Sequence, residues 1–282
     1  MQFKLDNSNL TQYFSVVDTG HFRNLDSKRP FNFINYNSDI LTVTVGDSWT
    51  WGADMTVTNS IKHRLTFNFG KLISDYMQSD WLNLGQRGSG NFWLYQRVNE
   101  FCKLIPDLHY KKIYLICTLT EVGRAVNSTV DTHIDYIKFF KNNPPNRLVE
   151  FLNQYAVDQV LCATKDFSHV VLKIGTNFVD HVGIAPAEYV LPDPWIKLCC
   201  MNHDIVYHSP VYSVTPWAID AMHSLKDLVP SSSKTEFLQY MSELLDPALA
   251  RQNLLEQIPG IRHGHPDKGN HKIWADYIIQ QL

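Results

Sequence analysis

The chain has 282 residues, of which 44% are hydrophobic and 19% charged, with 13 glycines and 13 prolines. These proportions exclude a disordered, collagen-like or proline-rich chain, and a chain of this length buries roughly 75% of its unfolded surface. Lys plus Arg is 25 against 28 for Asp plus Glu, a formal net charge of -3 with no basic block, so nothing marks a nucleic-acid partner.

The first 35 residues are polar and aromatic without a clear period, and they read as an N-terminal extension packed on a core domain spanning 36–282. The opening MQFKLDNSNL has no basic stretch followed by an apolar core, so no signal peptide is expected. No apolar run reaches ~18 residues, so no membrane span is expected either. Five short apolar runs predict strands at 41–45 (LTVTV), 81–84, 112–119 (KIYLICTL), 169–174 (HVVLKI) and 204–207. Several are continuous rather than alternating, which suits strands covered on both faces. Helical spacing falls on 92–104, 132–141 and 147–156, the last two separated by Asn142-Asn143-Pro144-Pro145. Ser233-Lys234-Thr235-Glu236 reads as a capping box, and 271–282 as a closing amphipathic helix. Alternating strands and helices predict an α/β domain with a parallel sheet and functional loops at the strands' carboxyl ends. The connections 120–147 and 178–202 are long enough to read as lids.

The five cysteines, Cys102, Cys117, Cys162, Cys199 and Cys200, are odd in number and contain no C-x-x-C. They read as buried free thiols in a reducing compartment, and the expected location is the cytoplasm.

Three segments carry chemistry. Gly46-Asp47-Ser48-Trp49-Thr50-Trp51-Gly52 follows the first predicted core strand directly. A serine at such a strand-to-helix turn presents its hydroxyl at the open end of the sheet, and nearby N–H groups face a developing negative charge. Asn83-Leu84-Gly85-Gln86-Arg87-Gly88-Ser89-Gly90 follows the second strand and allows close backbone approach. His263-Gly264-His265-Pro266-Asp267-Lys268-Gly269-Asn270-His271 precedes the closing helix and offers a base, which a serine needs because its free hydroxyl is a weak nucleophile. Trp49 and Trp51 lie beside the serine and read as rings that stack on substrate or pack the core.

Taken in this order, the three segments resemble the SGNH (GDSL-like) hydrolase family. The resemblance implies a flavodoxin-like three-layer α/β/α sandwich with a five-stranded parallel sheet. It also implies Ser48 as nucleophile and His265 as base, with the N–H groups of Ser48 and Gly88 in the oxyanion hole. Two departures stand out. The position three before His265, where the family carries Asp, is Arg262, and His263 follows it. The orienting acceptor is then a backbone carbonyl, Asp267 or a carboxylate distant in sequence. The family's Gly-x-Asn-Asp motif is expected after the third strand, where the chain reads Thr118-Leu119-Thr120-Glu121, whereas Gly175-Thr176-Asn177 lies after the fourth. Either Thr120 or Asn177 completes the oxyanion hole.

The resulting expectation is a serine esterase that forms an acyl-enzyme on Ser48 and needs no cofactor or metal. Its substrate is a small-molecule, carbohydrate or lipid ester, with Trp49 and Trp51 as substrate contacts. Acyl transfer would use the same site. A catalytically weak or inactive binding module on the same fold is the second reading, because the usual Asp is missing. A metal-dependent hydrolase is the third. His263-x-His265-x-Asp267 resembles the ligand run of metallo-β-lactamase-type hydrolases, with His203, Asp204 or His208 as further ligands, but it lies too close to the C-terminus for that family's later histidines.

Overall fold

The run ILTVTVG forms the central strand of a five-stranded sheet because its β-branched residues are buried on both faces. The computed structural model describes residues 5, 10–14, 31–55, 61–87, 90–120, 145–178, 185–207, 235, 239, 249 and 252–282. In chain order its elements are α1 (Leu10–Tyr13), β1 (Asn32–Ile34), β2 (Ile40–Gly46), α2 (Ser48–Trp51), α3 (Ile61–Phe67), α4 (Phe69–Met77), β3 (Asp80–Asn83) and α5 (Asn91–Leu104). There follow β4 (Lys112–Leu119), α6 (Pro145–Thr164), β5 (Val170–Thr176), α7 (Trp195–Asn202), β6 (Ile261–Arg262), β7 (His265–Pro266) and α8 (Lys268–Gln281). The predicted helix at 132–141 and most of the capping box at 233–236 lie outside the described residues.

The strand order is β1-β3-β2-β4-β5. β2 pairs in parallel with β3 and β4, and β4 with β5, whereas β1 runs antiparallel to β3. The sheet is therefore mostly, not wholly, parallel. In its parallel part the strand order switches sides at β2, β3 lying on one side and β4 and β5 on the other, and in such sheets the ligand crevice lies beyond the carboxyl ends of the strands at that switch.

Alternation along the strands separates two cores. Leu41, Val43 and Val45 of β2, with Ile113, Leu115 and Cys117 of β4, pack with Leu94, Val98 and Phe101 of α5 and Val157 and Val160 of α6. Ile116 belongs to a second core with Phe69 and Ile73 of α4, Trp195 and Ile196 of α7, and Trp274 and Ile278 of α8. Thr42 and Thr44 are buried as well; Thr42 shares a 2.6 Å hydroxyl–hydroxyl bond with Ser79, and Thr44 Oγ1 accepts from the Trp81 indole at 3.2 Å. Cys102, Cys117, Cys199 and Cys200 are buried and free, and Cys162 is exposed.

The fifth strand differs from the sequence expectation. Residues 204–207 form no strand: Asp204 turns left-handed at φ 54°, Ile205 N–H bonds back to Cys200 O at 2.9 Å, and Val206 is exposed. These atoms terminate α7, and a short apolar run alone does not distinguish that from a strand. The place is taken by β1, which lies inside the segment read as an extension. Leu5, Leu10 and Phe14, earlier in that segment, are buried in the first core. No helix among the described residues is long and apolar enough to cross a membrane.

Candidate active site

The site is built at the carboxyl edge, beginning where β2 ends. A Cβ on Gly46 would lie 2.2 Å from Thr50 Oγ1 and 2.8 Å from Thr118 O, so only glycine permits the chain to turn this tightly. Asp47 then caps the single turn of α2, its Oδ1 accepting from Trp49 N–H at 2.9 Å. The same carboxylate accepts from the Thr120 hydroxyl at 2.6 Å and from Asn177 Nδ2 at 3.0 Å. The ends of β2, β4 and β5 are thus joined through one buried carboxylate. The loop after β3 is tied to the same turn, with Gln86 N–H on Gly46 O at 3.0 Å. Asn68, the cap of α4, donates through Nδ2 to Thr50 O at 2.9 Å.

Ser48 is the first residue of α2, and its Oγ lies 2.9 Å from His265 Nε2. The histidine arrives on the β6–β7 hairpin. His263 and Gly264 form its two-residue turn with φ of 49° and 75°, the double left-handed geometry that fits the twist of a hairpin. Glycine takes this conformation freely, and histidine is one of the side chains enriched there. Trp49 Nε1 donates to Gly264 O at 2.7 Å and fastens the turn to α2.

The other side of the imidazole faces Asp54. Asp54 Oδ2 lies 3.1 Å from His265 Nδ1, within ion-pair distance although Nδ1 has no fully aligned hydrogen bond. A carboxylate only accepts, so the proton belongs on Nδ1 and Nε2 is left to accept from the serine hydroxyl. Hydrogen bonding to His265 holds the Asp54 carboxyl below its usual range against the opposing effect of burial, with further attraction from His265, Arg87 and His263. Arg87 Nη2 stands 4.0 Å from Asp54 Oδ2.

Several expected residues have other positions. Asp267 caps α8 by accepting from Asn270 N–H at 3.0 Å, while its own N–H bonds Gly260 O at 2.8 Å, and the carboxylate beside His265 Nδ1 is that of Asp54. Helix initiation engages its side chain with Asn270, whose N–H and Nδ2 both donate to Oδ1. Trp49 and Trp51 do not line a substrate surface, being 1% and 0% exposed. Trp49 packs edge-on against Phe178 and Trp195 at 4.6 and 5.2 Å, and Trp51 lies under the Arg64 guanidinium at 3.7 Å. Half-buried Trp93 instead borders a narrow crevice lined by Gly46, Leu84, Gln86, Leu94 and Arg97. Thr120 and Asn177 both meet Asp47, and Gly88 and His208 lie outside the described residues.

His263, His265 and Asp267 do not converge on one point, and among the described residues no group of three His, Cys, Asp or Glu is arranged to hold a metal ion. Burial pushes the Cys102 thiol up to about 12 and the Cys200 thiol up to about 11, so neither supplies a thiolate nucleophile at neutral pH. His271 is fully buried between Phe69 and Trp195, and its Nδ1 accepts from Phe69 N–H at 3.2 Å. Burial pushes it down to about 3, with a smaller contribution from the charge of His265.

Asp54 was missed because nothing in its spacing links it to a histidine 211 positions later. The available signal was an acid two residues past Gly52, in the loop that leaves the nucleophile turn. No family model, curated protein or solved structure matches the chain.

Proposed function

We propose that the chain is a serine hydrolase of the SGNH (GDSL-like) type, built on a three-layer α/β/α sandwich, which cleaves carboxylic esters through an acyl-enzyme. The observation that carries this reading is the continuous path from Ser48 Oγ through the His265 ring to Asp54, with contacts of 2.9 and 3.1 Å. A nucleophile, a base and a carboxylate in this relation fill the three roles of serine catalysis wherever they sit in the chain.

As Ser48 Oγ bonds to the ester carbonyl carbon, its proton passes to His265 Nε2. The imidazolium that forms is stabilised by Asp54, whose lowered pKa keeps it ionised at neutral pH. Collapse of the tetrahedral species breaks the bond to the alcohol, which leaves with the proton from His265. A water then gives its proton to His265 and attacks the acyl-enzyme, releasing the acid and restoring Ser48.

The oxyanion is assigned to the N–H groups of Ser48 and Gly88 and to Asn177. Asn177 is preferred over Thr120 on donor count. A threonine hydroxyl has one proton, and that of Thr120 is engaged by Asp47 at 2.6 Å. An asparagine amide has two, and Asp47 takes one. Trp93, rather than Trp49 or Trp51, is the ring assigned to meet the substrate.

The test is labelling with a fluorophosphonate, followed by mapping of the adduct. Labelling at Ser48 that vanishes in Ser48→Ala supports the hydrolase. Absence of any adduct on the folded chain favours a binding module, a reading that draws on the 3% exposure of Ser48.

A further inference from the structure

Resting on the serine-hydrolase reading, we infer that Trp49 is a positioning residue whose indole N–H sets the height of His265 above the nucleophile. Ser48 and Trp49 are adjacent on α2, and Gly264 and His265 are adjacent on the hairpin. Two bonds therefore join the same pair of segments one residue apart: Ser48 Oγ to His265 Nε2 at 2.9 Å, and Trp49 Nε1 to Gly264 O at 2.7 Å. The first must open and close with each proton transfer. The second takes no part in the chemistry and holds its geometry throughout.

The hairpin needs such a tie. β6 and β7 have two residues each and pair only with one another, outside the main sheet. Arg262 and His263 are exposed, so the turn has little apolar surface of its own to fix its position. Trp49 is by contrast 1% exposed and wedged between Phe178 and Trp195 in the second core. A buried ring in a close-packed interior has little freedom, so its N–H presents a fixed donor to the turn. The indole thereby couples the exposed turn of the hairpin to the rigid core. A displacement of the base by about 1 Å costs on the order of 10²-fold in rate, so the tie acts on turnover and leaves ground-state binding alone.

The test removes the donor and keeps the ring. Trp49→Phe retains an aromatic side chain, and 3-benzothienylalanine placed at 49 retains the indole outline with sulfur in place of N–H. Turnover of p-nitrophenyl acetate and the rate of Ser48 phosphonylation are compared with the parent, alongside melting temperature and amide hydrogen exchange in 261–266. The expected result for the benzothienyl variant is a fall in kcat of roughly 10- to 100-fold with KM within about twofold, and faster exchange in the hairpin. A benzothienyl variant with parental kcat and parental exchange overturns the inference, whatever Trp49→Phe does to folding. A parent that neither turns over ester nor labels at Ser48 refutes the hydrolase reading instead. Hairpin exchange then still decides whether the tie exists.

Discussion

His265 and His271 are six residues apart, on either side of the junction between β7 and α8, and they meet opposite surroundings. The His265 side chain is 15% exposed, with a hydroxyl at one nitrogen and a carboxylate at the other. His271 is wholly buried among aromatic rings, accepts one backbone N–H, and stays neutral down to about pH 3. Both belong to the segment that resembles a catalytic motif, yet among the described residues only His265 has a partner that would stabilise its charged form. A histidine becomes a base through its neighbours, and the same residue type six positions on serves to seat α8 against α4.

The largest expected effect separates the two rings by activity. His265→Gln lowers kcat by a factor on the order of 10⁴ or more, with the melting temperature little changed, as measured by ester turnover and calorimetry. Equal activity in His265→Gln and the parent would remove the ring from the mechanism. Next comes the carboxylate behind the base. Asp54→Asn lowers kcat by about 10³- to 10⁴-fold, because an amide can present a donor to Nδ1 and favour the wrong tautomer. Asp267→Asn keeps a cap acceptor for α8 and leaves kcat within about twofold. The reverse pattern would return the role to Asp267.

The smallest effect sharpens the other side of the comparison. The folded-state pKa of His271 lies near 3, below the ordinary 6.5 that it regains on unfolding. The unfolded chain therefore binds the additional proton first, and stability falls as pH drops below about 6.5 until pH nears 3. The slope is about 1.4 kcal/mol per pH unit within that window. His271→Gln, which keeps an acceptor for Phe69 N–H, flattens this slope in urea unfolding between pH 6.5 and 4.5. The depressed carboxyl of Asp54 acts in the same direction but in a lower window: its contribution is present above the ordinary carboxylate range and lost as pH falls through the lower folded value. The window above pH 4.5 thus isolates the histidine. An unchanged slope in His271→Gln would assign the acid sensitivity to another group.

The parts of the molecule that could be read in the sequence are those whose signal is local. LTVTV, KIYLICTL and HVVLKI are continuous apolar runs, and each lies within one of the strands β2, β4 and β5 to within a residue or two. Ser48 and His265 stood out because each follows or precedes a recognisable element boundary. β1 was not legible, since three residues show no period and its pairing with β3 is set by tertiary packing. The inward turn of Trp49 and Trp51 was hidden for a related reason: all four residues of α2 are buried, so no polar face marks which side meets solvent. Asp54 depends on a contact between distant segments, which spacing cannot encode. Asp267 was attractive through proximity to His265, although an aspartate just ahead of an amphipathic run already describes a helix cap.

The position of Asp54 has a consequence for assembly. Ser48 and Asp54 travel on one seven-residue segment, and the chain that joins Ser48 to His265 is 217 residues long. Two of the three groups are therefore neighbours from synthesis onward, and a single loop closure completes the set. The entropy of closing a loop grows only with the logarithm of its length, so insertions in the intervening chain add little to that cost. On the serine-hydrolase reading, competence is gained in one step, when the C-terminal hairpin docks, and a chain ending before residue 261 would carry the proposed nucleophile and carboxylate with no base between them.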